Sequence, residues 1–331
     1  DADGTPDVLD PGAALPSPAD LAIDLPSSLQ FRVSGGVTGT GQVGDLDDPA
    51  NVPPDPIDNE LLSAGPVSIR GSAEFALSRS TVDVDTDGNG TPDLIGATVD
   101  SIALTVSGVA VVVEGIAELT VSGELGVARV SPVLAGVIQP ARYTALVLGN
   151  VTVTTDVVTG DFGLTGALSI DDLAYNSAAD GFDRLDWSTA FDLDADGTPD
   201  VLDPGAALPS PADLAIDLPA TLQFRVSGGI TGNASAPGGF AYAGSEVLLT
   251  AGPVIVYGSA EFALSRSTAD VDTDGNGTPD LIGATVDAIA LTVSGAGVEV
   301  EGIAELTVSG ELGVARVSPV VGGVMQPARY T

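Results

Sequence analysis

The chain has no histidine and no cysteine, and its ten basic residues include no lysine. Each absence removes a class of chemistry. Without imidazole or thiol there is no Cys/His zinc site, no Ser-His-Asp relay and no thiolate nucleophile. Without cysteine no disulfide staples the fold, and the sequence carries no mark of redox compartment. Aromatic residues are 4% of the chain, and Trp187 is the only tryptophan. No apolar run approaches the ~18 residues of a membrane helix, and no segment reads as a signal peptide. Positive charge is equally scarce: ten arginines face 46 acids, a net charge of −36 over 331 residues. A field of that sign repels nucleic acid and anionic lipid, so neither is expected as a partner.

What remains is an acidic chain that can nevertheless build a core. Hydrophobic residues make up 44% of it and its mean hydropathy is +0.33, unlike a disordered acidic tail. Those residues are mostly Val, Leu, Ala and Ile, set among 42 Gly and 23 Pro. Such a composition describes many strands broken by turns. No stretch holds a helical period; residues 16–26 allow one turn between prolines at most. The fold class is therefore all-β.

Self-comparison shows an internal repeat. Residues 1–40 return at 194–233 with four substitutions, and residues 65–144 return at 252–331 with eleven. The stretches 41–64 and 234–251 share little, and 145–193 occurs once. This gives a first unit over 1–193, a second over 194–331, and variable loops at 41–64 and 234–251. The first copy continues from Pro140-Ala141-Arg142-Tyr143-Thr144 into further strand-like sequence. A longer tandem array, of which this chain is a window, is the expectation.

Within a copy the period is two. Ile102, Leu104 and Val106, then Val109, Val111 and Val113, then Leu119 and Val121, should face one way. The step from Val106 to Val109 is odd, so a turn is expected at Ser107-Gly108. Val112 becomes Glu299 in the second copy, which predicts an outward position. A repeat that leaves sheet edges open stacks on its neighbour. The expected architecture is thus a tandem-repeat β-solenoid continuing from repeat to repeat, with parallel strands in register across 95–170. The alternative is a string of β-sandwich domains joined by calcium-bound linkers, each of roughly 90–100 residues. That version has antiparallel hairpins at Ser107-Gly108 and Glu114-Gly115.

The aspartates are not spread evenly. Asp192, Asp194, Asp196, Thr198, Asp200 and Asp203 place oxygen donors at positions one, three, five, seven, nine and twelve of a loop with Gly197 sixth. Alternate side chains then point inward, the glycine permits a sharp bend, the Thr198 carbonyl joins them and the last carboxylate closes the sphere around a hard cation. Asp85, Asp87, Asn89, Thr91 and Asp93 repeat the pattern, as do Asp272, Asp274, Asn276, Thr278 and Asp280; their twelfth positions are Gly96 and Gly283. Asp83 and Asp270, just upstream, are candidates to replace the missing acid. A truncated fourth loop runs over Asp1, Asp3, Thr5, Asp7 and Asp10. Calcium is the expected ion, at the ~10⁻⁴–10⁻³ M affinity of extracellular modules. Trp187 is expected in a core or corner, and Arg79 and Arg266 are expected to bridge neighbouring acidic strands.

These loops resemble the calcium loop of EF-hands and, more closely, those of dockerins and thrombospondin type-3 repeats. The eighth-position prolines Pro92, Pro199 and Pro279 depart from the EF-hand pattern, so paired EF-hands are not expected. With its Asp-rich loops and Val/Ala/Gly/Thr-rich strands, the whole chain resembles the giant repetitive calcium-binding surface proteins of bacteria, the large adhesins and RTX-type secreted proteins. The resemblance implies secretion, tandem stacking and no catalysis. It points to an extracellular filament or adhesin stalk at the cell surface, whose partners are copies of itself, end to end or laterally. A glycan- or ice-binding module on such a stalk is the alternative. A carboxylate-based glycoside hydrolase is more remote, since no acid pair stands out from the rest.

Overall fold

The computed structural model describes residues 27–38, 60–64, 67–113, 117–159, 162–194, 196–232, 247–251, 254–300, 303–322 and 324–329. The first copy contributes strands β1 (Leu29–Thr38), β2 (Glu60–Ala64), β3 (Val67–Val84), β4 (Leu94–Val113), β5 (Ala117–Ser131), β6 (Val133–Leu134) and β7 (Val137–Ile138). The unrepeated segment adds β8 (Tyr143–Thr159) and β9 (Phe162–Ala178). The second copy gives β10 (Leu222–Thr231), β11 (Val247–Ala251), β12 (Val254–Val271), β13 (Leu281–Val300), β14 (Ala304–Ser318), β15 (Val320–Val321) and β16 (Val324–Met325). Among the described residues there is no α-helix, only a 3-10 turn at Pro204–Ala207, and nothing helical long and apolar enough to cross a membrane.

Twelve strands form one sheet, ordered β1-β3-β4-β5-β8-β9-β10-β12-β13-β14. β2 continues the β1 position along β3, and β11 continues the β10 position between β9 and β12. The variable loops therefore leave the sheet from within a strand position. β6–β7 and β15–β16 are separate small hairpins. β9 pairs with β10, so the sheet runs without a break from one copy into the next.

Every described pairing is antiparallel, and the parallel rows of a solenoid are not seen across 95–170. Nor do two sheets pack face to face as in a sandwich. The expected turn at Ser107-Gly108 is a bulge inside β4: Val106 pairs with Gly123 and Val109 with Val121, so two residues face Ser122 alone. Gly108 takes the left-handed conformation (φ 55°) and its N–H donates to Ser122 Oγ at 2.8 Å. The extra residue restores the parity that an odd step would break. Ile102, Leu104, Val106 and Val109 therefore share a face along one unbroken strand. Residues 114–116, site of the other expected hairpin, lie outside the described residues; the strands on either side pair antiparallel.

That shared face is the open one. Ile102 is 41% exposed and Leu119 39%. The buried face carries the smaller residues between them. Ala97, Val99, Ala103, Ala128 and Val130 are each 0–1% exposed. They lie beneath a strap, residues 179–221, that crosses β3, β4, β5, β8 and β9. Leu185, Trp187, Phe191, Ile216 and Leu218 pack on Val84, Val99, Val130 and Tyr143, while Leu208 and Leu214 rest on Ala76 and Ala103. Small side chains suit this layer, because an irregular chain can follow the sheet closely only where little projects from it. At Gly126 a Cβ would lie 3.2 Å from Leu214 Cβ.

Trp187 is at the centre of this core, as expected. Its ring lies 5.7 Å from that of Phe191, and its Nε1 donates to Asn176 Oδ1 at 3.1 Å. Asn176 Nδ2 in turn donates to the carbonyls of Leu185 and Pro219, at 2.9 and 3.1 Å. The arginines also behave as expected. Arg79 bridges to Asp100 at 2.6 Å and Arg266 to Asp287 at 2.5 Å, each across adjacent strands. Val112, expected outward, has no described side chain; its counterpart Glu299 is half-buried beside Val298, which is 42% exposed.

Candidate metal centres in the acidic loops

Residues 85–93 join β3 to β4, and 272–280 join β12 to β13, each at a point where the strands are already paired (Val84 with Leu94, Val271 with Leu281). Residues 192–200 lie in the strap. All three loops close in the same way. The N–H of the ninth residue donates to the carbonyl just before the first: Asp93 to Val84 at 3.1 Å, Asp200 to Phe191 at 2.7 Å and Asp280 to Val271 at 2.9 Å.

Inside each loop the first aspartate gathers backbone N–H groups. Asp85 accepts from Gly88 at 2.8 Å and Gly90 at 2.6 Å, and Asp272 from Gly275 at 2.8 Å and Gly277 at 2.7 Å. Asp192 accepts from Gly197 at 2.9 Å. These donors point inward because Gly88, Gly90, Gly275, Gly277 and Gly197 have φ between 73° and 88°, a region that costs glycine nothing. Positions three and five make Asx turns. Asp87, Asp194 and Asp274 accept the N–H two residues on, at 3.1–3.2 Å. Asn89 and Asn276 do the same for Thr91 and Thr278 at 2.8 Å. The ninth aspartates take the N–H of the second residue: Thr86 to Asp93 at 3.0 Å, Leu193 to Asp200 at 2.6 Å and Thr273 to Asp280 at 2.9 Å.

The outcome is three groups of carboxylates, Asp85–Asp87–Asp93, Asp192–Asp194–Asp200 and Asp272–Asp274–Asp280, with ligand atoms in each within 4.8 Å of one another. These are positions one, three and nine, and each group could hold a metal ion. Three carboxylates at that range repel unless a cation or proton sits among them. The hard oxygen donors suit calcium or magnesium rather than a soft metal.

Other expected ligands go elsewhere. Asp196 stands outside its group, accepting from Thr198 N at 2.8 Å and Thr198 Oγ1 at 2.5 Å. Asp203, expected to close the twelfth position, instead caps the 3-10 turn, accepting from Gly205 N at 2.8 Å and Leu214 N at 3.1 Å. The reason is legible afterwards in Asp203-Pro204-Gly205, because Asp before Pro is the signature of an N-cap. Asp83 and Asp270 likewise bind the N–H of Gly96 and Gly283, both at 2.7 Å. The N–H groups of Thr91, Thr198 and Thr278, whose carbonyls are the expected donors, serve the fifth residue. Asp1, Asp3, Thr5, Asp7 and Asp10 lie outside the described residues.

Sequence reasoning missed that the first two loops are neighbours. Val84 and Phe191 form an antiparallel bridge, and Asp85 N donates to the carbonyl of Ala190 at 3.0 Å. The end of β3 and the start of the strap are thus stitched together between two acidic groups. No sequence spacing signals a contact over that separation. Among the described residues Asp85 is the one acid in the buried set, at 8% exposure.

The hydrogen bonds set the acidity of these groups. Burial pushes Asp85 up, but the N–H groups of Gly90, Gly88, Asn89 and Asp87 outweigh it and hold the carboxyl below its ordinary value. The Gly277 N–H holds Asp272 low, and Thr198 and Thr273 do the same for Asp196 and Asp280. A depressed folded pKa stabilises above the unfolded value, near ~3.9 for aspartate, and that stability is lost as pH falls through the folded value. Asp85→Asn is therefore expected to lower the melting midpoint at pH 7, with the gap from wild type closing below about pH 4. A gap that stays constant down to pH 2 contradicts the assignment. Measuring the difference in high salt separates it from the general relief of acid–acid repulsion.

Comparison with protein-family models, with curated proteins and with solved structures finds no match in any of the three. The reading of these loops rests on their own geometry.

Proposed function

We propose that the chain is a non-catalytic structural element, part of an extracellular filament or adhesin stalk built from tandem β repeats and stiffened by calcium at the acidic turns. The observation that carries this is the loop geometry built three times: one closing bond, one set of inward N–H groups and the same three carboxylate positions. Loops 85–93 and 272–280 are the same sequence in equivalent places, so the independent repetition is 192–200, which differs in sequence and surroundings yet closes in the same way. The continuous sheet from β9 into β10 supports tandem growth, since the repeats join through backbone hydrogen bonds rather than through a linker. Calcium suits the outside of a cell, where millimolar concentrations would fill sites of this strength. A surface glycan fits as the adhesion target of such a stalk; self-association, end to end or lateral, fits as its mode of assembly.

The test is a thermal melt in calcium and in chelator, at fixed ionic strength. At calcium ten to a hundred times the dissociation constant, each site adds roughly 1.4–2.7 kcal/mol, so the midpoint is expected to rise by several degrees. An unchanged midpoint means that the loops are turns alone. Asp203→Ala provides the internal control. As a cap, Asp203 is worth about 1 kcal/mol, and its loss should lower the midpoint equally in calcium and in chelator. A loss seen only in calcium makes it a ligand instead.

A further inference from the structure

The face of the sheet turned away from the strap carries a continuous apolar pattern of its own. Through the strand registers one row runs from Phe75 on β3 by way of Leu125, Leu148 and Leu173 to Val226 on β10 and Val314 on β14. It crosses nine strand positions, each filled by Phe, Leu, Ile or Val, and none of the nine is buried. The row on one side carries Leu77, Ile102, Tyr175 and Phe224, and the row on the other carries Val106, Phe262 and Leu312. Ile102 and Tyr175 are 41% exposed, Ile289 46% and Leu312 55%. From β4 to β13 every position on this path has a strand on both sides, so the rows lie inside the sheet and pass through the junction of the copies. Beside them stand two ladders, Arg79–Asp100–Arg129 and Arg266–Asp287–Arg316. The ladders hold four arginines against two aspartates, a local excess of positive charge on a chain of −36.

We propose that this face packs on the same face of a second copy, the two chains forming the two layers of a β-sandwich ~10 Å apart. The area is of the right size. At ~4.8 Å per strand and ~6.7 Å per row, the three rows cover roughly 40 by 20 Å, about 800 Å². That exceeds the apolar patch a monomer ordinarily exposes, and it matches the ~800 Å² that each partner gives to a stable interface. The charge also favours a second copy. Two strongly acidic chains meet with least repulsion where arginine outnumbers aspartate. The contact is isologous, so it closes as a dimer and leaves both straps facing outward. The inference rests on the lateral self-association proposed above and names its surface. It uses none of the acidic loops, so the chelator melt and the experiment below can fail separately.

The experiment is sedimentation velocity of the full chain in chelator and moderate salt over a wide range of concentration. Two variants accompany it. Leu148→Lys with Leu173→Lys puts charge in the middle of the central row and makes the chain less acidic, so lost association is not added repulsion. Ile102→Thr with Ile289→Thr is milder and keeps β-branched side chains in both strands. Emission from Trp187, in the core on the other side of the sheet, shows that each variant is folded. The full chain is expected to sediment as a dimer, with a melting midpoint that rises with concentration. The lysine variant should be a monomer at the same concentrations, and the threonine variant should dimerise at least tenfold more weakly. A full chain that stays monomeric overturns the proposal; if it also floats with neutral phosphatidylcholine vesicles, the face meets lipid instead. Dimers of undiminished strength in either folded variant overturn it too, because they place the contact at a strand edge.

Discussion

Replacing Trp187 by alanine is expected to cost the chain about 4 kcal/mol, the middle of the range for buried aromatics. The side chain is fully buried and lies between the strap and the sheet, against Phe191. Its removal leaves a cavity that an irregular strap on a rigid sheet can fill only in part. It also strips Asn176 Oδ1 of its donor in a site with 0% exposure, and an orphaned buried acceptor adds a further penalty. Trp187→Phe keeps most of the volume and loses only the Nε1 donor, so it should cost about 1–2 kcal/mol. Denaturant melts of the two variants check both terms. Equal losses would mean that packing contributes nothing beyond the hydrogen bond.

Gly228→Ala is expected to break the junction between the copies at a cost of about 3 kcal/mol, the severe end of overpacking. Gly228 sits in β10 between β9 and β12, where the β9 register shifts. An added Cβ would stand 2.1 Å from the Ser169 carbonyl oxygen and 3.1 Å from Ile170 Cα. Both are backbone atoms of a paired strand, so neither can swing aside. Gly35 is the same residue in the first copy, but among the described residues β1 has no strand on its outer side, and the Cβ would meet only the Phe75 ring at 3.3 Å. Gly35→Ala should therefore cost less than about 1 kcal/mol. Hydrogen exchange should show the Gly228→Ala loss concentrated in β9 and β10. Similar losses at the two glycines would contradict the pairing of β9 with β10.

Much of this was legible in the sequence, and the reasons for the rest are physical. The period of two and the turn-rich composition announce strands without naming their neighbours. Loop spacing correctly brings positions one, three and nine together, because Asx turns and left-handed glycines are local devices. In sequence Asp203 reads only as a calcium ligand, yet the same Asp-Pro-Gly string that completes a calcium spacing also caps a 3-10 turn, and that cap is the contact it makes. At Val106 and Val109 parity alone cannot tell a turn from a bulge, since both absorb an odd step. The choice between faces could not be read either. Large aliphatics such as Ile102 and Leu104 suggest a core, yet the strap selects the alanine-rich side, and it comes from more than seventy residues away in sequence.

The six strand positions from β1 to β9 make up the advance before the pattern restarts at β10. At ~4.8 Å per strand they amount to roughly 29 Å, whereas a strand of β4's 20 residues spans about 65 Å. An assembly growing in this direction is a ribbon wider than its own step, and it gains little reach for each repeat. Tension along the ribbon acts in the direction of the ladder hydrogen bonds, the orientation in which strand pairs peel open one after another. The strap runs along that direction, from the β10 junction back to β3. It would therefore carry load that the weakest strand pair cannot, much as a batten holds planks laid edge to edge.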